Sequence, residues 1–145
     1  MMAGPTSPGS HMKTKPYLTA EDCKKILAAC EAEAARHNWS VCIAIVDDGG
    51  HLLTFQRLDG TPPASVAISQ GKAASAAIRR RATKQDEEMV NNGRVSALSM
   101  PNITFLEGGV PIVVEGETIG AVGVSGVKSI EDAQIAQAGI QALLG

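Results

Sequence analysis

Four side chains could do most of the chemistry open to this chain. His51 follows the turn signal Asp48-Gly49-Gly50 and opens a β run. A neutral imidazole there could ligate iron, or could simply satisfy backbone and solvent at a hairpin end. Arg57, later in the same run, could grip a carboxylate through two parallel hydrogen bonds or pair with Asp59 as a structural ion pair. Lys72 shares a predicted polar helix face with Ser65, Ser69 and Arg79, where it is either solvated or an anion contact. Glu107 precedes Gly108-Gly109 and could act as acid or base if burial or a charged neighbour tunes it. His51 and Glu107 are therefore the proton-transfer candidates, and His51, Arg57 and Lys72 the ligand-holding ones. His37, at a predicted helix C-terminus, suits that end of the dipole when charged.

The glycine-punctuated stretch Gly120-Ala121-Val122-Gly123-Val124-Ser125-Gly126 looks like a further chemical motif. A dinucleotide loop needs G-x-G-x-x-G between a strand and a helix, whereas the spacing here is G-x-x-G-x-x-G inside a strand. A hydrolase elbow needs G-x-S-x-G, and Gly123-Val124-Ser125-Gly126 brings the second glycine one position early. Ser125 reads as structural. Glycines inside a strand mark close approach by a ligand or another backbone, so this strand is built to be approached. Cys23, Cys30 and Cys42 lack C-x-x-C spacing and read as reduced core residues, and no metal-ligand cluster is visible.

Positioning these residues falls to one domain, since 145 residues suffice for a single core. Residues 1–12 are Pro/Gly/Ser-rich, end in Gly-Ser-His-Met and read as an expression-tag remnant, leaving 13–145 as the domain. A net charge of −2 and a pI near 5.9 argue against sequence-independent nucleic-acid binding. The run Arg79-Arg80-Arg81 complements a helix C-terminus. Nothing resembles a signal peptide or membrane span, so a cytoplasmic location is expected.

Thr19 with Asp22 makes a near capping box for a first helix reaching Arg36. Residues 40–47 and 51–58 form a hairpin, and alternation along 51–58 puts His51, Leu53, Phe55 and Arg57 on one face. Pro62-Pro63 opens a helix over 64–81 whose apolar stripe is Ala64, Ala67, Ile68, Gly71, Ala74 and Ile78. A short helix spans about 84–90, and residues 102–106 form a third strand. Strands over 110–114 and 118–125 turn at Glu115-Gly116, and Ser129 with Asp132 caps a final helix. The order α-β-β-α-β-β-β-α implies an α+β domain with a largely antiparallel sheet.

Asn38-Trp39-Ser40-Val41, Val46-Asp47-Asp48-Gly49-Gly50-His51-Leu52-Leu53, Arg57-Leu58-Asp59, Glu88-Met89-Val90-Asn91-Asn92-Gly93-Arg94, Glu107-Gly108-Gly109-Val110-Pro111 and Gly120-Ala121-Val122-Gly123-Val124-Ser125-Gly126 occur in this order. With them the chain resembles the GlcG/HbpS-like family, also found as the C-terminal domain of some corrinoid adenosyltransferases, and most of all its GlcG branch, encoded beside glycolate-oxidation genes. The resemblance implies a profilin-like, five-stranded antiparallel sheet flanked by helices and assembly as a homo-oligomer. It also implies binding of haem or another planar cofactor, accessory to a catabolic pathway such as glycolate utilisation. In that setting Arg57 would suit a haem propionate or a small carboxylate. The rival is an isomerase or lyase acting on a small carboxylate, with Arg57 as anchor and Glu107 or His51 moving the proton.

Overall fold

The structure, a computed structural model, describes residues 11–145, so the stretch read as a tag remnant lies outside it except for His11 and Met12. The elements run α1 (Ala20–Arg36), β1 (Cys42–Asp47), β2 (Leu52–Arg57), α2 (Ala64–Arg79), α3 (Thr83–Asn91), a 3₁₀ turn (Val95–Ser99), β3 (Gly109–Val114), β4 (Glu117–Ser125) and α4 (Ser129–Leu144). The expected capping box starts α1: Asp22 donates its N–H to Thr19 Oγ1 at 3.1 Å, and Thr19 N–H donates to Asp22 Oδ2 at 2.9 Å. Glu115 and Gly116 both take positive φ, 52° and 79°, and close the β3–β4 hairpin.

The strands form one antiparallel sheet in the order β2-β1-β4-β3. Alternation sorts its side chains by size. Ile43, Ile45, Val122 and Val124 join Ile26, Cys30 and Ile135 of α1 and α4 in one core, while Ala44, Val46 and Ala121 meet Ala73, Ala76 and Ala77 of α2 in the other. The result is three layers, with α1 and α4 on one face and α2 on the other. Both edge pairings are irregular: Leu53 is an extra residue in β2 where its register shifts against Ile45 and Val46, Ile119 is an extra residue in β4 opposite Ile112 and Val113 of β3, and Pro111 lies in β3.

Three expectations are corrected. The sheet has four strands, not five, because residues 102–106 pack on α2 instead of pairing: Thr104 N–H donates to Ser75 Oγ at 2.8 Å, and a Cβ on Gly71 would strike the Thr104 side chain. Helix α2 also turns its other face inward. Ser65, Ser69, Lys72, Ala73 and Ala76 are buried, whereas Ala64, Ala67 and Ile78 are exposed. Size rather than polarity selects that face, because α2 lies directly on strand glycines and each inward polar group finds a partner; Ser69 Oγ donates to Val66 O at 3.1 Å, and Ser125 Oγ lies 3.3 Å from Ser65 Oγ. The close approach expected at Gly123 is made by this helix, since a Cβ there would lie 2.8 Å from Ala73 Cα. Finally, Asp132 does not cap α4; Lys128 is the N-cap residue, with its N–H donating to Glu131 Oε1 at 3.3 Å, and Asp132 points into the protein.

Candidate functional site

The residues marked by sequence fall in three separate places. His51 and Arg57 bracket an open shelf where β2 extends past the edge of α2. The Asp47 carboxylate builds the turn before it by accepting the Gly49 and His51 N–H groups at 2.9 and 3.0 Å, while Asp47 N–H donates back to His51 O at 2.9 Å. This leaves the exposed His51 ring beside Gly49, where an added Cβ would lie 3.2 Å from Cδ2. Gly50 backs onto α2 so closely that a Cβ would lie 3.1 Å from Ile78 Cγ2. Leu52 and Ile78 are 49 % and 46 % exposed, and Phe55 packs half-buried against the alanine core.

The expected alternation along β2 is broken. Thr54 pairs with Ile45 and Leu52 with Val46, so Leu53 is an extra residue bulged out of register. It leaves the face of Phe55 and Arg57 and lines an apolar cleft of about 240 Å³ with Leu18, Cys23 and Leu27 on the α1 side. Arg57 donates from Nε and Nη2 to Thr61 O at 3.2 and 2.8 Å, so half its fork is engaged by backbone and Asp59 is not its partner. Cations also lie near the His51 end: Lys15 pairs with Asp48 at 2.7 Å, and Arg80 donates to Asp48 O. The Lys15 hydrogen bond holds the Asp48 carboxyl below its ordinary range.

Lys72 is not on a solvated face. Its ammonium is buried, donating to Asp132 Oδ2 at 3.0 Å and to Val124 O at 2.9 Å, under Gly108. Asp132 Oδ1 accepts the Val127 N–H at 3.1 Å, and burial outweighs the pull of Lys72 to raise the Asp132 pKa above its ordinary value. Lys72 therefore ties α2 to the end of β4 and to α4, beneath the loop that precedes β3.

Glu107 lies in that loop. Its N–H donates to Glu87 Oε1 at 2.7 Å, Gly108 O accepts from Val124 N–H at 3.0 Å, and Gly109 N–H donates to Thr83 Oγ1 at 2.9 Å. The loop leads into β3, at the opposite edge of the sheet from β2. Three interstrand spacings separate the edges, roughly 14 Å. The pairing of Arg57 as anchor with Glu107 as base is thus not assembled, while His51, just before β2, and Arg57, its last residue, stand at the two ends of that strand.

The profile of the family described as "Haem degrading protein HbpS-like" matches residues 18–141. The chain belongs to the HbpS-like family. Protein GlcG of Escherichia coli is 55% identical over 114 residues, covering 79% of this chain and 85% of GlcG. Among solved structures, Klebsiella pneumoniae protein ORFY superposes with a TM-score of 0.85 at 28% identity, covering 94% of this chain and 97% of that one. A double mutant of Streptomyces reticuli HbpS superposes with a TM-score of 0.84 at 28% identity, covering 100% and 99%.

Two residues of this HbpS-like chain matter more than its sequence signals. Asp132 is the buried partner of Lys72, and its mimicry of a capping residue hid that role. Asp86, fully buried, receives Arg79 and Arg81, each at 3.0 Å to Oδ1, and ties the end of α2 to α3. The triple arginine is therefore largely a corner staple, although Arg80 does donate to the carbonyl of Ala77 in the last turn of α2, at 3.0 Å. The cysteines are poor thiolate ligands: burial pushes Cys30 up to about 12 and raises Cys23 and Cys42 as well. Among the described residues no cluster of His, Cys, Asp or Glu could hold a metal ion, and no helix is long and apolar enough to cross a membrane.

Proposed function

We propose that this protein is a small oligomeric ligand-binding protein that holds haem or another planar cofactor on the β2–α2 shelf, accessory to a catabolic pathway such as glycolate utilisation. The observation that carries the reading is the exposed His51 ring at the end of an apolar surface formed by Leu52, Phe55 and Ile78. The residues fit such a group: the ring is free of side-chain bonds, Leu52, Phe55 and Ile78 offer apolar contact, and Arg57 keeps Nη1 for a propionate. Bound haem would supply the iron-centred chemistry after which the family is described. The shelf is open in a single chain, so a second copy closing over Leu52 and Ile78 accounts for both the exposed apolar surface and the expected assembly.

Titration with haemin followed by absorption spectroscopy tests this. Saturable binding is expected, with His51→Ala shifting the Soret band and Arg57→Ala weakening affinity by roughly tenfold, the scale of a charge-assisted hydrogen bond. Parent-like binding by both variants, or no saturable binding by the parent, removes the shelf from consideration. Light scattering on Ile78→Asp tests the assembly: a charge at the exposed apolar surface is expected to shift the protein toward monomer, and an unchanged mass places the interface elsewhere.

A further inference from the structure

On the opposite edge of the sheet from the shelf lies a second cleft, of about 260 Å³, lined by Lys84, Glu107, Ile130, Ala133, Gln134 and Gln137. Its wall is one face of α4, since positions 130, 133, 134 and 137 recur at helical spacing. Lys84 enters from the first turn of α3 and Glu107 from the loop before β3.

The charges in this cleft are not used up internally. Lys84 and Glu107 line the same space yet form no ion pair with each other, and neither charged end group makes a hydrogen bond or ion pair with another described residue. Neighbouring charges are engaged elsewhere: Glu87 accepts the Glu107 N–H, and Glu33 holds Arg36, His37 and Gln134. The loop that carries Glu107 is anchored by three hydrogen bonds of its own backbone, to Glu87, Val124 and Thr83. A cation and an anion that line one cleft without pairing, beside the exposed Ile130 and an uncommitted amide at Gln137, describe a receptor for a small molecule carrying both charges.

We propose that this cleft binds a small zwitterion, an amino acid with a short side chain, with its carboxylate on Lys84 and its ammonium on Glu107. A hydroxy acid of the same shape would satisfy Lys84 but set only a neutral hydroxyl against Glu107. The volume admits a small molecule and not a drug-sized one. This site shares no residue with the shelf, so its test is independent of the haemin titration.

Calorimetric titration of the full chain with L-alanine, lactate and methylamine separates the alternatives. Saturable heat is expected with L-alanine, and affinity at least about tenfold weaker for lactate and methylamine, each of which forfeits one charge-assisted contact. Lys84→Met is expected to weaken L-alanine by a similar factor. Glu107→Gln is expected to narrow the preference for alanine over lactate; the substitution leaves the loop's backbone bonds intact, so the fold is preserved. Absence of saturable L-alanine binding up to its solubility, parent-like binding by both variants, or a preference for lactate in the parent overturns the assignment.

Discussion

Lys72→Met is expected to cost about 3–5 kcal/mol of folding stability, because it leaves the Asp132 carboxylate buried without its cation. The loss should depend on pH. Asp132 already has its pKa raised above the ordinary 3.8, with burial the main cause. Its folded form therefore binds the proton more tightly than the unfolded chain, and the stability linked to this carboxyl falls as pH rises from about 3.8 through the raised folded value. Removing the ammonium lifts that folded value further and widens the window, so the deficit should be largest at neutral pH and smallest in acid. Adding Asp132→Asn to Lys72→Met should recover much of the loss. Urea unfolding across a pH series measures all three effects, and a deficit below about 1 kcal/mol that is flat with pH would show that the pair contributes little.

Gly123→Val is expected to be comparably damaging, although valine favours strands. At this position α2 crosses the sheet in backbone contact: an added Cβ would overlap the Ser69 carbonyl oxygen and lie 2.8 Å from Ala73 Cα. Overpacking against movable side chains typically costs ~1–3 kcal/mol, and a backbone neighbour gives way less easily, so the upper part of that range or beyond is expected. Gly123→Ala should show the same sign with a smaller loss. Thermal unfolding that leaves Gly123→Val within a few degrees of the parent would mean that α2 can ride up off the sheet.

Local chemistry made much of the fold legible. Thr19 and Asp22 announced α1, Glu115-Gly116 announced the β3–β4 turn, and both do the expected work because their partners lie within a few residues. The misreadings share a non-local cause. Ile103, Thr104 and Phe105 favour a strand, yet Thr104 finds Ser75 on α2 before it finds a strand. Lys72 looked solvated because its acceptors, Val124 and Asp132, lie 52 and 60 residues away. At the candidate site, His51 and Arg57 were visible as types on one strand, but period-two counting cannot reveal the bulged Leu53 that redirects the residues between them. That Lys84 and Glu107 line one cleft depends on how α3 packs near β3 and had no sequence signal of its own.

The two irregular edge strands limit how copies of this molecule can aggregate or assemble. An uninterrupted edge is a template on which a neighbouring chain can continue the hydrogen-bond ladder, the route to sheet extension and fibres. Here Pro111 removes a donor from β3, the extra Ile119 in β4 increases the twist of the ladder that carries β3, and the bulge at Leu53 twists β2 out of step. Neither border offers a straight run of backbone to a partner strand. The assembly proposed at the Leu52–Ile78 shelf would instead use side-chain surfaces, where symmetry can close it at a finite number of copies rather than propagating it.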